Sequence, residues 1–356
     1  MPLLSIATAL LLSSSTLGQQ QPFPSLGCGQ KPTGYTLGSK QKRTITTTGT
    51  KREYYIYLPT SYDETTPVLS TFYFHGQNGK ASQGDIFQSL AEANGFALVT
   101  LQGVNDKVSK SCGTGWNTGS SVNMTLSEET CTSKADTQTC CYESCKALGK
   151  CTGDGKAAKC MWSTCLDDAA FAEDVLAELG GDLCFDLDAV FASGFSNGGI
   201  LSHYLAAANP NQWKGVLPVC GSPLRGYLDV SFALKGTSFL QLNGRSDNVI
   251  PYAGGISQDG WFYESMDDVA FAWGEVNGCS EDSRTFVTPY DGGSINLVCL
   301  EHPNCLNDVR VVRCLFDGKH TVPSIYNALA YWFMSTTVNP AILNAVAATA
   351  VNNSML

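Results

Sequence analysis

The chain has 356 residues, of which 43% are hydrophobic and 15% are charged, so it carries enough apolar material for a large core and is not of disordered composition. Its formal net charge of −10 disfavours nucleic acid as a partner, because phosphate backbones are bound through clusters of Lys and Arg. The one basic cluster, residues 40–52, is short and is interpreted as a solvated strand edge.

Residues 1–18 are predicted to be a secretory signal peptide. The apolar run from Leu3 to Leu12 is too short to span a bilayer, and small residues before Gln19 allow cleavage near Gly18. No Lys or Arg precedes the run, and a buried N-terminal helix is the alternative. We therefore expect a secreted protein without a membrane span, in which the sequons at Asn123 and Asn352 could be glycosylated.

The first half of the chain predicts strands at residues 52–59, 68–74 and 96–101, with a helix over 87–94. The strand at 68–74 leads into the glycine-containing turn His75-Gly76-Gln77-Asn78-Gly79. The run at 96–101 is almost continuously apolar, which is typical of a strand buried on both faces.

A cysteine-rich insertion over about residues 112–165 follows. It holds eight of the fifteen cysteines: Cys112, Cys131, Cys140, Cys141, Cys145, Cys151, Cys160 and Cys165. A zinc module is the alternative to disulfides, but the segment contains no histidine and no repeated C-x₂-C spacing. Disulfides are favoured, and because fifteen is odd at least one cysteine must stay free or pair with another chain.

The second half of the chain alternates strands with helices. Helices are predicted over 167–180, 198–207 and 266–276, and strands over 189–192, 215–220, 238–242 and 309–316. This alternation predicts an α/β protein with a mostly parallel, doubly wound sheet, and residues 19–356 are interpreted as one catalytic domain carrying the insertion.

Ser196 is the candidate nucleophile. It stands at the centre of Gly194-Phe195-Ser196-Asn197-Gly198, between a predicted strand and a predicted helix. Such a turn forces the serine into strained backbone angles, which explains the flanking glycines, and exposes its hydroxyl at the edge of the sheet. A turn serine in a glycine-rich chain is the alternative explanation.

His320 is the preferred base for this serine. It follows the strand at 309–316, whereas His75 precedes Ser196 in the chain, and His203 lies along the helix that leads away from it. His302 is the second choice, in what is interpreted as a disulfide-tied turn with no buried strand before it.

Asp247 is the preferred acid, because it follows the strand at 238–242 and precedes His320, as an imidazole-orienting carboxylate should. Asp317 is the competing acid, and Asp167 and Asp168 are interpreted as helix N-terminal carboxylates. The oxyanion of an acyl-transfer reaction needs two backbone amides, for which we predict Asn197 and Gln77.

With these residues in place, the chain resembles a lineage of secreted α/β-hydrolases that includes feruloyl esterases, acetylxylan esterases and polyhydroxybutyrate depolymerases. Phe195 and Thr321 stand where tannase-like feruloyl esterases have cysteines, and the base loop has Val322 where the lineage usually has tryptophan. The resemblance is carried by Gly27-Cys28-Gly29, Phe74-His75-Gly76, Gly194-Phe195-Ser196-Asn197-Gly198-Gly199, Asp247 with Val249, Pro251 and Tyr252, Trp273 with Asn277-Gly278-Cys279, and His320.

The resemblance implies a serine esterase of the single-domain feruloyl-esterase type, acting on ester-bearing polysaccharides or small aromatic esters. The insertion is predicted to be either a lid or acyl-pocket wall that carries Trp116 and Trp162, or a surface loop that is cross-linked by disulfides and has no part in the site. His75, Trp116 and Trp162 are the predicted substrate contacts.

Acetylxylan and polyester hydrolysis are the alternative activities, and a carbohydrate-binding or adhesion protein on a hydrolase scaffold is the alternative of a different class. No cofactor or metal is expected, because neither a dinucleotide fingerprint nor histidine-rich metal spacing is present. A monomer is expected.

Overall fold

The computed structural model describes residues 22–106, 113–119, 130–136, 140–151, 160–228, 236–286 and 296–339. The predicted signal peptide, Cys112 and the sequons at Asn123 and Asn352 lie outside these ranges. None of the helices within them combines the length and the apolar character needed to cross a membrane.

Twelve strands and seven α-helices occur in the described ranges. The strands are β1 (Lys40–Thr47), β2 (Thr50–Tyr57), β3 (Val68–Phe74), β4 (Ala97–Gln102), β5 (Phe185–Phe195), β6 (Gly215–Val219), β7 (Ser238–Gly244), β8 (Gly255–Ile256), β9 (Phe262–Tyr263), β10 (Arg284–Phe286), β11 (Leu297–His302) and β12 (Val311–Phe316). The helices are α1 (Gln88–Asn94), α2 (Ser133–Asp136), α3 (Glu143–Ala147), α4 (Asp168–Asp182), α5 (Asn197–Ala208), α6 (Met266–Val276) and α7 (Tyr326–Val338), with 3₁₀ turns at Ala81–Phe87 and Leu306–Asp308.

The described strands form one ten-stranded sheet in the order β1-β2-β4-β3-β5-β6-β7-β12-β11-β10, and β8 and β9 form a separate pair. The six central strands of this order, β4-β3-β5-β6-β7-β12, are parallel to one another, and antiparallel strands flank them at both edges. Because parallel strands are covered on both faces, β3, β5, β6 and β7 are nearly continuously buried.

Helices cover both faces of the sheet, so the core has two layers. Side chains from α4, α5 and α6 pack on one face with Phe72 and Phe74, and side chains from α1 and α7 pack on the other with Tyr73. Alternate residues of β3 thus serve opposite layers, as the two-residue period of a strand requires. The predicted mostly parallel, doubly wound sheet is confirmed.

Local signals account for several helix ends. The Asp167 carboxylate accepts the Ala170 amide at 3.0 Å and caps α4, and Ser265 caps α6 through the Asp268 amide at 3.0 Å. Asp167 therefore acts as expected. Asp168 also lies in the first turn of α4, but its side chain is buried and pairs with Arg52 in the core, which the sequence did not predict.

Two expectations differ from the structure. Arg52 is buried, so only part of the basic cluster is a solvated edge. His302 is the last residue of a strand, β11, which runs antiparallel to β12, so His302 lies at the end of the sheet opposite to the end where β12 leads into His320. The disulfide expected near His302 is present, between Cys279 and Cys305.

Six disulfides join described cysteines, which confirms the disulfide interpretation. They are Cys28–Cys184, Cys131–Cys160, Cys141–Cys151, Cys145–Cys165, Cys279–Cys305 and Cys299–Cys314. Within the described part of the chain, Cys220 is the free cysteine, and it is buried.

Candidate active site

Ser196 occupies a sharp turn between β5 and α5. Its φ of 55° and ψ of −118° are strained for a residue with a side chain. A Cβ at Gly194 would lie 2.3 Å from the Gly198 carbonyl oxygen, and one at Gly198 would lie 2.1 Å from the Phe74 carbonyl oxygen. Both glycines are thus required sterically, which agrees with the interpretation of this stretch as a nucleophile turn.

His320 bridges Ser196 and Asp247. Its Nε2 atom lies 2.9 Å from Ser196 Oγ, and its Nδ1 atom lies 2.7 Å from Asp247 Oδ2. The other carboxylate oxygen of Asp247 accepts the amides of Val249 at 2.8 Å and Ile250 at 2.9 Å. These bonds hold the buried carboxylate toward the imidazole, so the three side chains form the arrangement in which a serine proton can move to a histidine.

The competing residues lie elsewhere or are engaged elsewhere. Asp317 pairs with Arg245 at 3.0 Å, with neither group buried. His203 is buried in the core, where Trp273 donates a hydrogen bond to it at 3.4 Å. Burial lowers the pKa of His203 to about 3, so the ring stays neutral there.

The two residues whose backbone amides are the predicted oxyanion donors, Asn197 and Gln77, both lie close to the serine. Asn197 is the first residue of α5, and its N–H belongs to the helix terminus, which lacks intrahelical acceptors. Gln77 lines the same cavity as Ser196 and belongs to the loop of residues 75–79, which is closed by a hydrogen bond of 2.9 Å from the Gly79 amide to the Gly76 carbonyl. We call residues 75–79 the oxyanion loop, after the oxyanion donor predicted at Gln77.

The side chain of His75, the first residue of this loop, and the side chain of Trp116 are buried behind the loop. Both side chains are completely buried, with ring centroids 4.8 Å apart. His75 Nδ1 donates to the Gly76 carbonyl and its Nε2 accepts the Gly103 amide, and burial lowers its pKa to about 4. The substrate-contacting role predicted for these two residues is corrected, because no surface of either side chain is accessible.

A cavity of about 190 Å³ opens beside Ser196. Its lining comes from the oxyanion loop, the insertion and the segment around β8 and β9: Gln77, Cys140, Trp162, Ser196, Val249, Ile250, Asp259, Trp261 and Tyr263. Trp162, the third predicted substrate contact, lies 6.0 Å from Trp261 between ring centroids. The insertion therefore supplies part of the wall, as one of its two predicted roles required.

Backbone pairing joins the insertion to the far side of the cavity. The Thr132 amide donates to the Gly260 carbonyl at 2.8 Å, and the Phe262 amide donates to the Thr130 carbonyl at 2.9 Å. Sequence reasoning missed Asp259, Trp261 and Tyr263. The aromatic run after Gly260 was the available signal, but nothing in the sequence places it beside a serine about 60 positions earlier.

One group of metal-capable side chains occurs among the described residues: Cys220, Asp247 and His320. Two of its three potential ligand atoms, Asp247 Oδ2 and His320 Nδ1, are hydrogen-bonded to each other. Burial, together with the neighbouring Asp247 charge, raises the pKa of the Cys220 thiol, which donates to the Thr321 carbonyl at 3.6 Å. A protonated thiol is a poor metal ligand, so the arrangement suits proton transfer better than metal binding.

These elements together define an α/β-hydrolase fold, and a solved structure agrees. An acetyl xylan esterase from Aspergillus awamori superposes with a TM-score of 0.50 over 83% of this chain and 99% of its own, at 15% sequence identity. No family model matches the chain.

Curated relatives are similar in sequence over part of the chain. A probable feruloyl esterase C of Aspergillus clavatus is 27% identical over 154 residues, and feruloyl esterase C of Emericella nidulans is 26% identical over 154 residues. Each match covers 43% of this chain and 50% of the relative, so the chain spans about half the length of these curated relatives.

Proposed function

We propose that the protein is a carboxylic ester hydrolase that works through an acyl-enzyme on Ser196. The observation that carries this proposal is the contact of His320 with Ser196 Oγ at 2.9 Å on one side and with Asp247 at 2.7 Å on the other. A serine hydroxyl is a weak nucleophile unless a base removes its proton, and this geometry supplies the base and the group that orients it.

In the proposed reaction, Ser196 Oγ attacks the ester carbonyl carbon while His320 Nε2 takes the serine proton. Asp247 stabilises the imidazolium, and the amides of Asn197 and Gln77 donate to the oxyanion. When the tetrahedral species collapses, His320 returns the proton to the departing alkoxide oxygen. Water then repeats the sequence against the acyl carbon, which releases the acid and restores the serine.

The cavity supports an aromatic acyl group as substrate, and we propose feruloyl or related hydroxycinnamoyl esters of cell-wall polysaccharide. Trp162, Trp261 and Tyr263 give it aromatic walls. Two residues of its lining carry a buried polar atom that has no hydrogen-bond partner among the described residues, Nε1 of Trp162 and Oε1 of Gln77. Unpaired buried polar atoms are costly, and a small shift of either side chain on binding would let a hydroxyl or methoxy group of ferulate satisfy its polar atom. The curated relatives are named as feruloyl esterases.

Acetylated xylan is the second candidate, because the superposed structure is an acetyl xylan esterase. An acetyl group carries no ring or hydroxyl, so it would leave the aromatic walls and the unpaired polar atoms without a partner. The cavity lining therefore favours the aromatic ester. Action outside the cell is also proposed, since the six disulfides require an oxidising compartment.

The test compares the wild type with Ser196→Ala on methyl ferulate, acetylated xylan and a polyhydroxybutyrate suspension. Ser335→Ala is the matched control, because it removes a hydroxyl on α7 whose hydrogen bond among the described residues is to the Trp332 carbonyl. The wild type and the control should hydrolyse methyl ferulate fastest, and Ser196→Ala should lose about 10⁶-fold in kcat. Activity that survives in Ser196→Ala would exclude the serine mechanism, and a wild type inert on every ester would favour a binding protein.

A further inference from the structure

The cysteine-rich insertion holds the oxyanion loop as well as lining the cavity. Thr114 bonds to it twice: the Asn78 amide donates to the Thr114 carbonyl at 2.7 Å, and Thr114 Oγ1 donates to the Gly79 carbonyl at 2.7 Å. These bonds fix the end of the loop that follows Gln77.

Trp116 connects the two proposed oxyanion donors. Its indole N–H donates to the His75 carbonyl at 2.8 Å, at the start of the oxyanion loop. Its backbone amide donates to Asn197 Oδ1 at 2.7 Å, and its carbonyl accepts from Asn197 Nδ2 at 3.3 Å. One residue of the insertion thus contacts both the loop that carries Gln77 and the residue that follows the nucleophile.

Tyr142 holds the side chain of Gln77. Gln77 Nε2 donates to the Tyr142 hydroxyl at 2.8 Å, and the Tyr142 side chain is completely buried. Tyr142 packs among the sulfurs of two disulfides, Cys141–Cys151 and Cys145–Cys165. On the other side of Gln77, a Cβ at Gly115 would lie 2.3 Å from Gln77 Oε1, so the backbone of the insertion also packs against this side chain.

We propose that the insertion is the scaffold that preorganises the oxyanion hole, and that Tyr142 is a positioning residue acting through Gln77. This inference rests on the proposed esterase function and assigns the disulfides of the insertion a part in catalysis. Oxyanion donors accelerate a reaction only when they are already aimed at the position where charge develops. A loop without regular secondary structure needs external support to meet that condition. Residues 83, 102 and 103 bond to the start of the loop, and the described hydrogen bonds that other segments make to Gln77, Asn78 and Gly79 come from the insertion.

The test is a double-mutant cycle on an acetate ester, whose acyl group carries no substituent that could contact Gln77. Tyr142→Phe removes only the hydroxyl, and Gln77→Ala removes the side chain it holds while keeping the backbone amide. Each should lower kcat by about tenfold and change KM less than twofold. The loss in kcat is smaller than that caused by deleting an oxyanion donor, because the backbone amide of Gln77 remains. The double variant should be no slower than Gln77→Ala, because both changes interrupt one contact.

A tetrahedral boronate inhibitor gives a second readout, since its affinity should fall by the same factor as kcat while the pH profile keeps its shape. Tyr54→Phe is the matched control, because it removes a buried tyrosine hydroxyl that bonds to Glu178 on α4. It should leave kcat and inhibitor affinity unchanged.

Additive losses in the double variant, or a loss confined to KM, would overturn the role of Tyr142. If Tyr142→Phe does not fold, Gln77→Ala decides the matter, and an unchanged kcat there overturns the proposal. A wild type that hydrolyses no ester would instead reject the proposed function, and this inference with it, so the two failures are distinguishable.

Discussion

Ser196 Oγ lies 2.9 Å from His320 Nε2, although 124 positions separate the two residues in the chain. Two hydrogen bonds hold the chain after β12 against the chain after β7: the Ser246 amide donates to the Gly318 carbonyl, and the Arg245 amide donates to the Phe316 carbonyl, both at 2.9 Å. These bonds place His320 beside Asp247, and the turn after β5 presents Ser196 to the pair.

Asp247→Asn should reduce kcat by about 10⁴-fold with little change in KM, because an amide does not hold the imidazole in the required tautomer or stabilise its cation. Steady-state kinetics on methyl ferulate measures this loss. Asp317→Asn is the matched control, since it breaks only the exposed contact with Arg245 and should change kcat less than threefold. The reverse pattern would transfer the role of the acid to Asp317.

Trp162→Ala should raise KM for methyl ferulate by about tenfold, because an aromatic contact contributes about 1 kcal/mol beyond the apolar area that it buries. KM for an acetate ester should change less than twofold. Trp162→Phe keeps a ring and removes the unpaired N–H. It should therefore raise KM more for methyl ferulate than for methyl cinnamate, whose ring carries no hydroxyl or methoxy group.

Phe271→Ala is the control for the Trp162 variants, because that ring lies 42% exposed on α6 and is absent from the cavity lining. If Trp162→Ala raises KM equally for methyl ferulate and for the acetate ester, Trp162 stabilises the fold and does not contact the acyl group.

His203→Phe should reduce the loss of unfolding free energy that the protein shows as the pH falls. Burial lowers the pKa of His203 from 6.5 to about 3, so between those values the unfolded chain binds a proton that the folded chain does not. His203 therefore contributes stability that is present above pH 6.5 and is lost as the pH falls toward 3. The slope is about 1.4 kcal/mol per pH unit at most.

Urea unfolding of the wild type and His203→Phe at several pH values between 7.5 and 4.5 tests this expectation. Phenylalanine does not titrate and suits a site whose neighbours include Phe239 and Trp273. The difference in unfolding free energy at pH 7.5 reports packing and the lost hydrogen bond from Trp273, neither of which depends on the charge of His203, and it should shift in favour of the variant as the pH falls. A difference that stays constant with pH would contradict the expected linkage.

Arg52→Met should destabilise the fold by about 3–5 kcal/mol, because it leaves the Asp168 carboxylate buried without its cationic partner. Burial already raises the pKa of Asp168, and its second oxygen accepts the Asn117 amide at 2.6 Å. Lys42→Met is the matched control on the same sheet edge, since its contact with Glu53 is exposed and should give no measurable change in urea unfolding. Equal behaviour of the two variants would show that the buried pair contributes no net stability.

Local signals predicted most of the elements that carry the proposed triad. The predicted strand 68–74 and helix 266–276 coincide with β3 and α6, and the others shift at their ends by a few residues. β11 and α7 were not predicted. β11, next to the edge strand β10, alternates polar and apolar residues only weakly, and α7 carries aromatic and β-branched residues that favour strands as readily as helices. Tertiary packing on the sheet decides such segments.

The sequence by itself determined the parallel sheet, the strained turn at Ser196 and the order of serine, acid and histidine, because these depend on apolar periodicity and on steric demands local to a few residues. Only the tertiary structure decided that the side chains of His75 and Trp116 are buried, that Arg52 and Asp168 meet in the core, and that the insertion reaches Gln77 through Tyr142. Such contacts join segments far apart in the chain, and their partners are selected by the packing of the whole fold and by no pattern within either segment.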